Sequence, residues 1–247
     1  MLFLNKKCLV QSASKGIGYG IAKSLLQNGG KVTISSSSKN RINQAAKKLK
    51  DETGMQPDTL VLDNYKHKEF IAKLDEFLIK QNGIDILIVN GPGPPACLLE
   101  EFNENNLRKE INGLFEIPII STNMCTKYMI KQKFGRILFI LSTTAKQPEQ
   151  GMGYSNIIRS GLWAFMKTLS KELGTEGINS NAVLVGACET DRMKELMQQE
   201  AKHRKVSIDK IKNEALKIFP STRFPNPDEF ANQILSLISP ESFFINE

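Results

Sequence analysis

Cysteine and histidine are scarce in this chain. Its 247 residues include two histidines, His67 and His203, and four cysteines that are far apart and form no C-x-x-C pair. Redox and zinc motifs need closely spaced thiols or imidazoles, so neither kind of motif is expected. Both histidines stand in lysine-rich stretches with a helical pattern, where a solvated helix face is the natural interpretation. We therefore predict no metal site.

Long apolar runs are also absent. No run reaches the roughly 18 residues that cross a bilayer, and the first four residues are too short for the apolar core of a signal peptide. Apolar residues make up 40% of the chain and charged residues 24%, which are values typical of a globular protein. We expect a soluble, cytoplasmic protein with no membrane partner.

Linkers rich in proline or serine are missing, so residues 1–247 are interpreted as a single domain. The net charge is +7, but lysine is scattered along most of the helical stretches rather than collected on one face. A nucleic-acid partner is therefore not expected, since such proteins usually concentrate their charge. A phosphorylated small ligand accounts for the positive sign equally well.

One stretch, residues 4–26, combines a short apolar segment, small residues and a helical pattern. Residues 8–10 have the pattern of a buried strand, and apolar residues recur at helical spacing from Ile17 onward. Between them lie Gly16 and Gly18, in a turn that points backbone N–H groups and the positive end of a helix dipole at one spot. This arrangement suits a phosphate group, because a Cβ in the turn would block the ligand. An ordinary strand–helix turn with two glycines is the alternative.

Strands alternate with helices along the rest of the chain. The predicted strands are 7–11, 31–35, 59–62, 84–89, 136–141 and 178–185. This order predicts an α/β fold with a doubly wound parallel sheet and helices on both faces, in three layers. Ligands bind such sheets at the carboxyl ends of the strands. The loops at that edge are 12–18, 36–40, 63–65, 90–97, 142–153 and 185–192.

Several motifs in these loops match one family pattern. Residues 11–18, QSASKGIG, keep the G-I-G half of a T-G-x-x-x-G-I-G turn with a serine in place of its first glycine, and residues 89–92 keep part of an N-N-A-G motif. Residues 185–190 resemble a P-G…T motif, and Asn112 and Ser142 stand at the positions of an active-site Asn and Ser. Over nearly its whole length, the chain resembles the short-chain dehydrogenase/reductase family, and within it the 3-oxoacyl-carrier-protein reductase-like members.

The resemblance implies a Rossmann fold. Family members continue past the equivalent of residues 244–246 into a seventh strand, so this chain, which stops at Glu247, is expected to lack the last strand. That edge of the sheet would be bare or completed by a partner, or else the sequence is truncated. The segment 190–219 is implied to be a helical lid over a small-molecule substrate, and the family commonly forms homodimers or homotetramers.

The resemblance also implies a dinucleotide cofactor. The residues that it assigns to cofactor binding are Ser12, Ser14, Lys15, Gly16, Ile17, Gly18, Ser36, Ser37, Asp63, Asn64, Asn90, Gly91, Arg159, Gly186 and Thr190. An NAD enzyme usually has an acid after the second strand for the ribose 2′-hydroxyl, whereas here Ser36 occupies that position and Lys15 could attract a 2′-phosphate. NADP(H) is therefore favoured, with NAD(H) as the alternative. Asp63 is placed for the adenine amino group, or else caps the end of the third strand.

The catalytic residues depart from the family pattern. Family members use Tyr-x3-Lys on a helix, because residues four apart share one helix face. Here Ile158 lies four residues after Tyr154, whereas Arg159 lies four residues after Ser155. The candidate catalytic residues are Ser142, Tyr154, Ser155, Arg159 and Asn112.

Two assignments of the acid stay open. In one, Tyr154 at the start of the helix swings into the pocket as the proton donor, Ser142 orients the carbonyl, and Arg159 stabilises the phenolate and holds the ribose. In the other, the acid is lost, because the Ser155 hydroxyl is too weakly acidic to replace a tyrosine unaided. Arginine can hold the ribose but does not relay protons as lysine does.

Two functions follow from these alternatives. The first is an NADP(H)-dependent oxidoreductase that reduces a carbonyl, or oxidises an alcohol, of a small and partly apolar substrate, as 3-oxoacyl reductases do. The second is a dinucleotide-binding homologue with slow or no turnover that acts as a sensor or a structural protein. The register of Tyr154 favours the second function, whereas Ser142, Asn112 and Thr190 favour the first.

Overall fold

A computed structural model of the chain describes residues 1–218 and 222–247. The strands in these residues are β1 (Lys7–Val10), β2 (Lys31–Ser36), β3 (Asp58–Val61), β4 (Ile86–Val89), β5 (Gly135–Ser142) and β6 (Ile178–Val185). The α-helices there are α1 (Gly16–Gln27), α2 (Lys39–Thr53), α3 (His67–Gln81), α4 (Glu104–Ile111), α5 (Ile117–Gln132), α6 (Gly153–Leu173), α7 (Asp191–Arg204), α8 (Ile208–Ile218) and α9 (Pro227–Ile234). No helix in this part of the chain has the length and apolar composition needed to span a bilayer.

The strands form one parallel sheet in the order β3-β2-β1-β4-β5-β6. In its centre, Leu9 of β1 lies opposite Thr33 of β2 and Leu87 of β4. The chain proceeds outward from β1 in both directions, so the loops after β1 and β4 diverge at the carboxyl edge and leave a crevice between them. The predicted strands and the predicted doubly wound Rossmann topology are thus confirmed.

Side chains of the strands alternate between two cores, one on each face of the sheet. Val10 and Ile88 point to the core that contains α1, α2 and α9, whereas Leu9 and Leu87 point to the core formed with α3, α5 and α6. All four side chains are buried. Because a strand side chain changes face at every residue, the continuous apolar runs of β1 and β4 fill both cores. The predicted three layers result.

The long helix predicted to start at residue 102 is interrupted near Gly113, as expected. A π-helical turn covers Asn112–Glu116 between α4 and α5. Gly113 is required there, since a Cβ on it would lie 2.6 Å from ring atoms of Tyr65. Turns of this kind are frequent at functional sites.

The outer edge of β6 carries no further strand among the described residues. Side-chain hydrogen bonds cover part of it instead. Asn179 donates to the carbonyls of Phe243 (2.9 Å) and Ile245 (2.8 Å), and Asn246 accepts from the Ser180 N–H (2.8 Å). The final segment is thereby held against the first half of β6, and the described sheet has six strands without a seventh, as the sequence predicts.

Arg136 links the sheet to this final segment. The residue is 3% exposed, and its guanidinium donates to the carbonyls of Ser239 (3.1 Å), Pro240 (3.0 Å) and Gly177 (3.2 Å). It also stacks on Phe134, 4.6 Å from the ring centroid. Burial lowers the pKa of Arg136, but the carbonyls supply the acceptors that a buried cation needs.

Replacing Arg136 with methionine is expected to lower the free energy of unfolding by about 3 kcal/mol, because carbonyls at the sheet edge lose their donor. Urea denaturation followed by circular dichroism measures the change. Arg108→Met is the matched control: its ion pair with Glu104 (2.8 Å) is exposed, so we expect a loss below about 0.5 kcal/mol. Equal losses in the two variants would contradict the structural role of Arg136.

Candidate active site

The turn between β1 and α1 is tight and is held from a neighbouring strand. Ser12 has a φ of +50° and Gly16 a φ of +62°, so the chain enters the left-handed region twice. The side chain of Asn90, just after β4, donates to the carbonyls of Gln11 and Ser12, both at 3.2 Å. A Cβ on Gly18 would lie 2.8 Å from the Ser12 carbonyl oxygen. The backbone conformation of the turn therefore requires glycine at position 18.

Helix α1 opens toward this turn. Its first four residues, 16–19, include no acid, and no side chain in the described part of the chain caps its N-terminus. The free N–H groups and the positive end of the helix dipole can therefore bind an anion. Ile17 packs its side chain against the core, so its contribution to a ligand site is limited to its backbone.

The loop after β2 places hydroxyl groups and an arginine beside the turn. Ser36 donates to Ser14 (Oγ to Oγ 3.3 Å), and Arg41 donates to the Ser37 hydroxyl (3.3 Å). Ser38 caps α2 by accepting from the Arg41 N–H (3.3 Å). A guanidinium and a helix N-terminus thus meet where the sequence has no acid, which suits a phosphate. Arg41 is absent from the residues predicted above, although its place in the first turn of α2 is a readable signal.

Asp63 and Asn64 follow β3 at the same edge of the sheet. The Asp63 carboxylate accepts a hydrogen bond from the Tyr65 N–H (3.0 Å). This local bond resembles the capping role that was the alternative to adenine binding for Asp63. Asn64 donates to the Gly113 carbonyl (3.0 Å), and the Tyr65 hydroxyl donates to the buried Glu110 (2.9 Å). Burial and this hydrogen bond raise the pKa of Tyr65. The loop after β3 is thereby tied to α4 and the π-helical turn.

Tyr154, near the start of α6, faces a different side of the helix from Ser155 and Arg159. Tyr154 is 1% exposed and packs edge-on against Phe102, with ring centroids 4.6 Å apart. Its hydroxyl has no hydrogen-bond partner among the described residues, and burial raises its pKa. Adjacent helix residues point about 100° apart, so Tyr154 cannot share the face of Ser155 and Arg159. The structure places the phenol in the core, not in the pocket where one of the two assignments requires it.

Ser142, Thr144 and Ser155 form a cluster of hydroxyl groups where β5 ends. Ser155 Oγ lies 3.0 Å from Thr144 Oγ1, and Ser142 accepts from the Thr144 N–H (3.3 Å). Arg159 lies one helical turn after Ser155 and donates to the Pro92 carbonyl (3.5 Å). The arrangement offers hydrogen-bond donors and a positive charge to an oxygen atom in the crevice. Thr144 is a further residue that the motifs do not indicate.

Gly186 and Thr190 follow β6 on the other side of the crevice. Thr190 caps α7, and its methyl carbon would lie 3.5 Å from a Cβ on Gly16. Lys15 forms an ion pair with Asp191 (3.1 Å). The loop after β6 therefore lies against the turn that precedes α1.

An open groove of about 600 Å³ runs between this loop, α1 and α2. Its basic wall residues are Lys15, Lys23, Arg41, Lys48 and Lys194. Acidic side chains also line it, so its charge is mixed. No cluster of three or more His, Cys, Asp or Glu suited to a metal ion occurs in the described ranges.

Most of the predicted site residues lie at the carboxyl edge of the sheet, in two groups. The group around the turn and the loop after β2 contains Ser12, Ser14, Lys15, Gly16, Gly18, Ser36 and Ser37. The group toward the ends of β4, β5 and β6 contains Asn90, Gly91, Ser142, Ser155, Arg159, Gly186 and Thr190. The π-helical turn brings Asn112 and the loop of Asp63 and Asn64 together through the Asn64–Gly113 hydrogen bond. Tyr154 stands apart from all of them.

The predicted lid is a pair of helices, α7 and α8. Arg204 and Glu214 join them through two hydrogen bonds of 2.7 and 3.2 Å. At the other end of α7, Arg192 reaches across the mouth of the crevice and donates to the Pro94 carbonyl (2.5 Å). Residue 219, the last of the predicted lid segment, lies outside the described residues.

Bacterial proteins are similar in sequence to this chain over nearly its whole length. The chain is 31% identical over 244 residues to the 3-oxoacyl-[acyl-carrier-protein] reductase FabG of Chlamydia trachomatis, covering 99% of this chain and 94% of that protein. It is 30% identical over 248 aligned residues to the protein of the same name from Chlamydia muridarum, with the same coverage. The family model described as short chain dehydrogenase matches residues 6–201.

Solved structures share the fold. L-sorbose reductase from Gluconobacter frateurii, complexed with NADPH and L-sorbose, superposes with a TM-score of 0.90 at 21% identity, covering 100% of this chain and 94% of that one. NAD+-bound xylitol dehydrogenase gives 0.89 at 19% identity, covering 100% and 96%. At these identities the likeness concerns the fold alone, whereas the family model and the full-length relatives show common descent. The chain therefore belongs to the short-chain dehydrogenase family of oxidoreductases.

Proposed function

We propose that the protein is an NADP(H)-dependent oxidoreductase that reduces a carbonyl, or oxidises the corresponding alcohol, in a small and partly apolar substrate. The proposal rests on the crevice, which has an anion-binding turn at one end and Arg159 with the hydroxyls of Ser142 and Ser155 at the other. The relatives named 3-oxoacyl-[acyl-carrier-protein] reductase support a carbonyl as the reacting group.

The turn fits the diphosphate of a dinucleotide. Gly18 lets the turn close tightly, since a Cβ there would lie 2.8 Å from the Ser12 carbonyl oxygen. The N–H groups at the start of α1 have no side-chain cap and can bind a diphosphate. Asp63 at the end of β3 is assigned to the adenine end. Asn90 lies beside the turn, at the start of the loop whose Pro92 carbonyl accepts from Arg159. Arg159 is assigned to the nicotinamide ribose.

The 2′-phosphate of NADP(H) is assigned to the loop after β2. Ser36, Ser37 and Arg41 supply hydrogen-bond donors there, and Lys15 lines the same groove. A carboxylate that would repel a phosphate is missing from residues 35–43. Among the structural neighbours both NADPH and NAD+ occur, so in this chain the preference depends on this loop.

Arg41→Ala is expected to weaken NADPH binding about 30-fold and to change NADH binding by less than about twofold, since NADH has no 2′-phosphate for the guanidinium to contact. Fluorescence titration with each cofactor measures both affinities. Lys47→Ala, which removes an exposed cation from the same helix, is the control and should change neither. An equal loss of affinity for the two cofactors would refute the assignment of Arg41.

The chemistry is assigned to the end of β5. NADPH, when bound, supplies the hydride that carbonyl reduction requires. The hydroxyls of Ser142 and Ser155 donate hydrogen bonds to the carbonyl oxygen, and the charge of Arg159 stabilises the negative charge that develops on it. Because arginine stays charged, the proton reaches that oxygen from solvent, either directly or through a hydroxyl group that regains its own proton from solvent.

Two measurements, one after the other, test the proposal. NADPH is first titrated, and its oxidation is then followed with a panel of ketones, oxo acids and 3-oxoacyl thioesters. Binding with turnover is the expected result. Binding without any turnover would support the non-catalytic alternative. If neither NADPH nor NADH binds, both functions are wrong.

A second copy of the chain is the proposed macromolecular partner. The family commonly pairs the helices that correspond here to α4–α5 and α6, and Leu107 of α4 and Ile157 of α6 are exposed apolar residues. A homodimer or homotetramer would cover them. Analytical ultracentrifugation measures the assembled mass.

A further inference from the structure

Two arginines reach the same loop from opposite sides of the crevice mouth. Arg159 on α6 donates to the Pro92 carbonyl (3.5 Å), and Arg192 on α7 donates to the Pro94 carbonyl (2.5 Å). The Nε of Arg192 also lies next to Gly93, where a Cβ would be 2.8 Å from it. Both guanidinium groups therefore border the opening between the loop after β4 and the lid.

Neither guanidinium has a strong counter-ion. None of the ion pairs in residues 1–218 and 222–247 includes Arg159. Arg192 has Glu195 of its own helix at 3.9 Å (Nη1 to Oε2), and the adjacent Asp191 is paired with Lys15. Burial lowers the pKa of Arg159 to about 10; Tyr65 opposes this shift, and the charge of Arg192 adds to it. The distant Glu195 leaves these two neighbouring cations incompletely compensated, so that a further anion beside them would be stabilising.

The position of these cations indicates which anion they bind. Arg159 shares a face of α6 with Ser155, whose hydroxyl belongs to the cluster at the end of β5. An anion bound by Arg192, which lies close enough to Arg159 to affect its charge, is therefore near the assigned position of the substrate carbonyl. The diphosphate has its own site at the turn before α1, where the helix N-terminus is free. A charged group of the substrate is left as the natural occupant.

We propose that Arg192, with the charge of Arg159 beside it, binds a carboxylate of the substrate, so that the substrate is an oxo acid or a hydroxy acid rather than a neutral ketone or alcohol. This inference rests on the proposed function and names its substrate class. A guanidinium binds a carboxylate through two parallel N–H···O bonds, a geometry that lysine cannot supply. Arg192 is thus a specificity-determining residue of the lid.

The test uses two matched pairs of substrates with NADPH: acetoacetate with ethyl acetoacetate, and pyruvate with methyl pyruvate. For the wild type, we expect kcat/KM to be at least about tenfold higher for the acid of one pair than for its ester. Arg192→Met should remove most of this preference by raising KM for the acid, with the ester changed by less than about twofold. Lys202→Met, which removes an exposed cation from the same helix, is the control and should keep the preference.

The outcomes distinguish this inference from the proposed function. Turnover of the esters without preference for either acid overturns the inference and leaves the oxidoreductase in place. If Arg192→Met lowers kcat/KM equally for acid and ester, Arg192 only holds the 92–94 loop in place, and the inference is also overturned. If Arg192→Met weakens NADPH binding instead, the anion is a cofactor phosphate and the inference is wrong.

Calorimetry decides the case in which nothing is turned over. The same two acids are titrated into the protein–NADPH complex, or into the protein alone if NADPH does not bind and the proposed function has failed. Binding that Arg192→Met abolishes and Lys202→Met preserves supports the inference. Failure of both acids to bind the wild type overturns it.

Discussion

Gly18→Ala is expected to raise the dissociation constant for NADPH by about 100-fold or more. A Cβ at this position would lie 2.8 Å from the Ser12 carbonyl oxygen and from the side-chain nitrogen of Asn90, and 3.0 Å from the Ala13 Cα. The turn must therefore open to admit the methyl group, which displaces the N–H groups at the start of α1. Each charge-assisted hydrogen bond lost costs about 1.5–3 kcal/mol. Fluorescence titration with NADPH measures the effect.

Gly54→Ala is the matched control for this variant. Gly54 has a φ of +74°, but no described atom lies within 4 Å of the Cβ that alanine would add. It ends α2, away from the crevice, so we expect a loss of stability of about 1 kcal/mol with unchanged NADPH affinity. If Gly18→Ala stays folded and binds NADPH as the wild type does, the assignment of the diphosphate to this turn is wrong.

Ser155→Ala is expected to lower kcat about 100-fold, whereas Tyr154→Phe should leave kcat within about twofold of the wild type. Ser155 shares a helix face with Arg159, and its Oγ lies 3.0 Å from that of Thr144. The Tyr154 hydroxyl is buried beside Phe102 without a hydrogen-bond partner in the described residues. Removing a donor to developing charge slows the reaction, whereas removing an unpaired hydroxyl does not. Steady-state kinetics with NADPH and a turned-over ketone measure both variants.

Thr168→Ala is the control for the two variants of α6. It removes an exposed hydroxyl that bonds only within the helix, to the Ala164 carbonyl (3.1 Å), and should leave kcat unchanged. A large loss in Tyr154→Phe with little change in Ser155→Ala would reverse the assignment. It would show that the start of α6 opens in solution and that Tyr154 is the acid.

Most of the fold could be predicted because it depends on periodicity along short stretches. The apolar run of β4 and the strand Ile178–Val185 have the composition of buried parallel strands, and the alternation of such runs with helical patterns implies the crossover order. Gly113 marked the break in the helix after residue 102. The boundaries of β3 were harder to place, because Asp58 and Thr59 pair through their backbone with β2 and carry no apolar signal.

The candidate site could be predicted only where its residues are neighbours in sequence. The turn at residues 12–18 was found because anion binding there depends on consecutive backbone groups. Arg192 was not found, because its contact with Pro94 joins segments 98 residues apart. Thr144 was missed for the same kind of reason, since its hydroxyl meets Ser155 only when α6 packs beside the end of β5.

The amino-acid sequence by itself determined the wound parallel sheet, the glycine turn at its carboxyl edge and the one-residue offset between Tyr154 and Ser155. These features follow from local spacing, which every model of the chain must respect. Only the tertiary structure decided that Tyr154 enters the core and that Arg159 and Arg192 meet at one loop. Whether a helical side chain faces the core or the crevice depends on which segment packs against it. Here Phe102 packs against Tyr154, and the 92–94 loop accepts hydrogen bonds from the two arginines. Those partners come from other parts of the chain, which local spacing does not bring together.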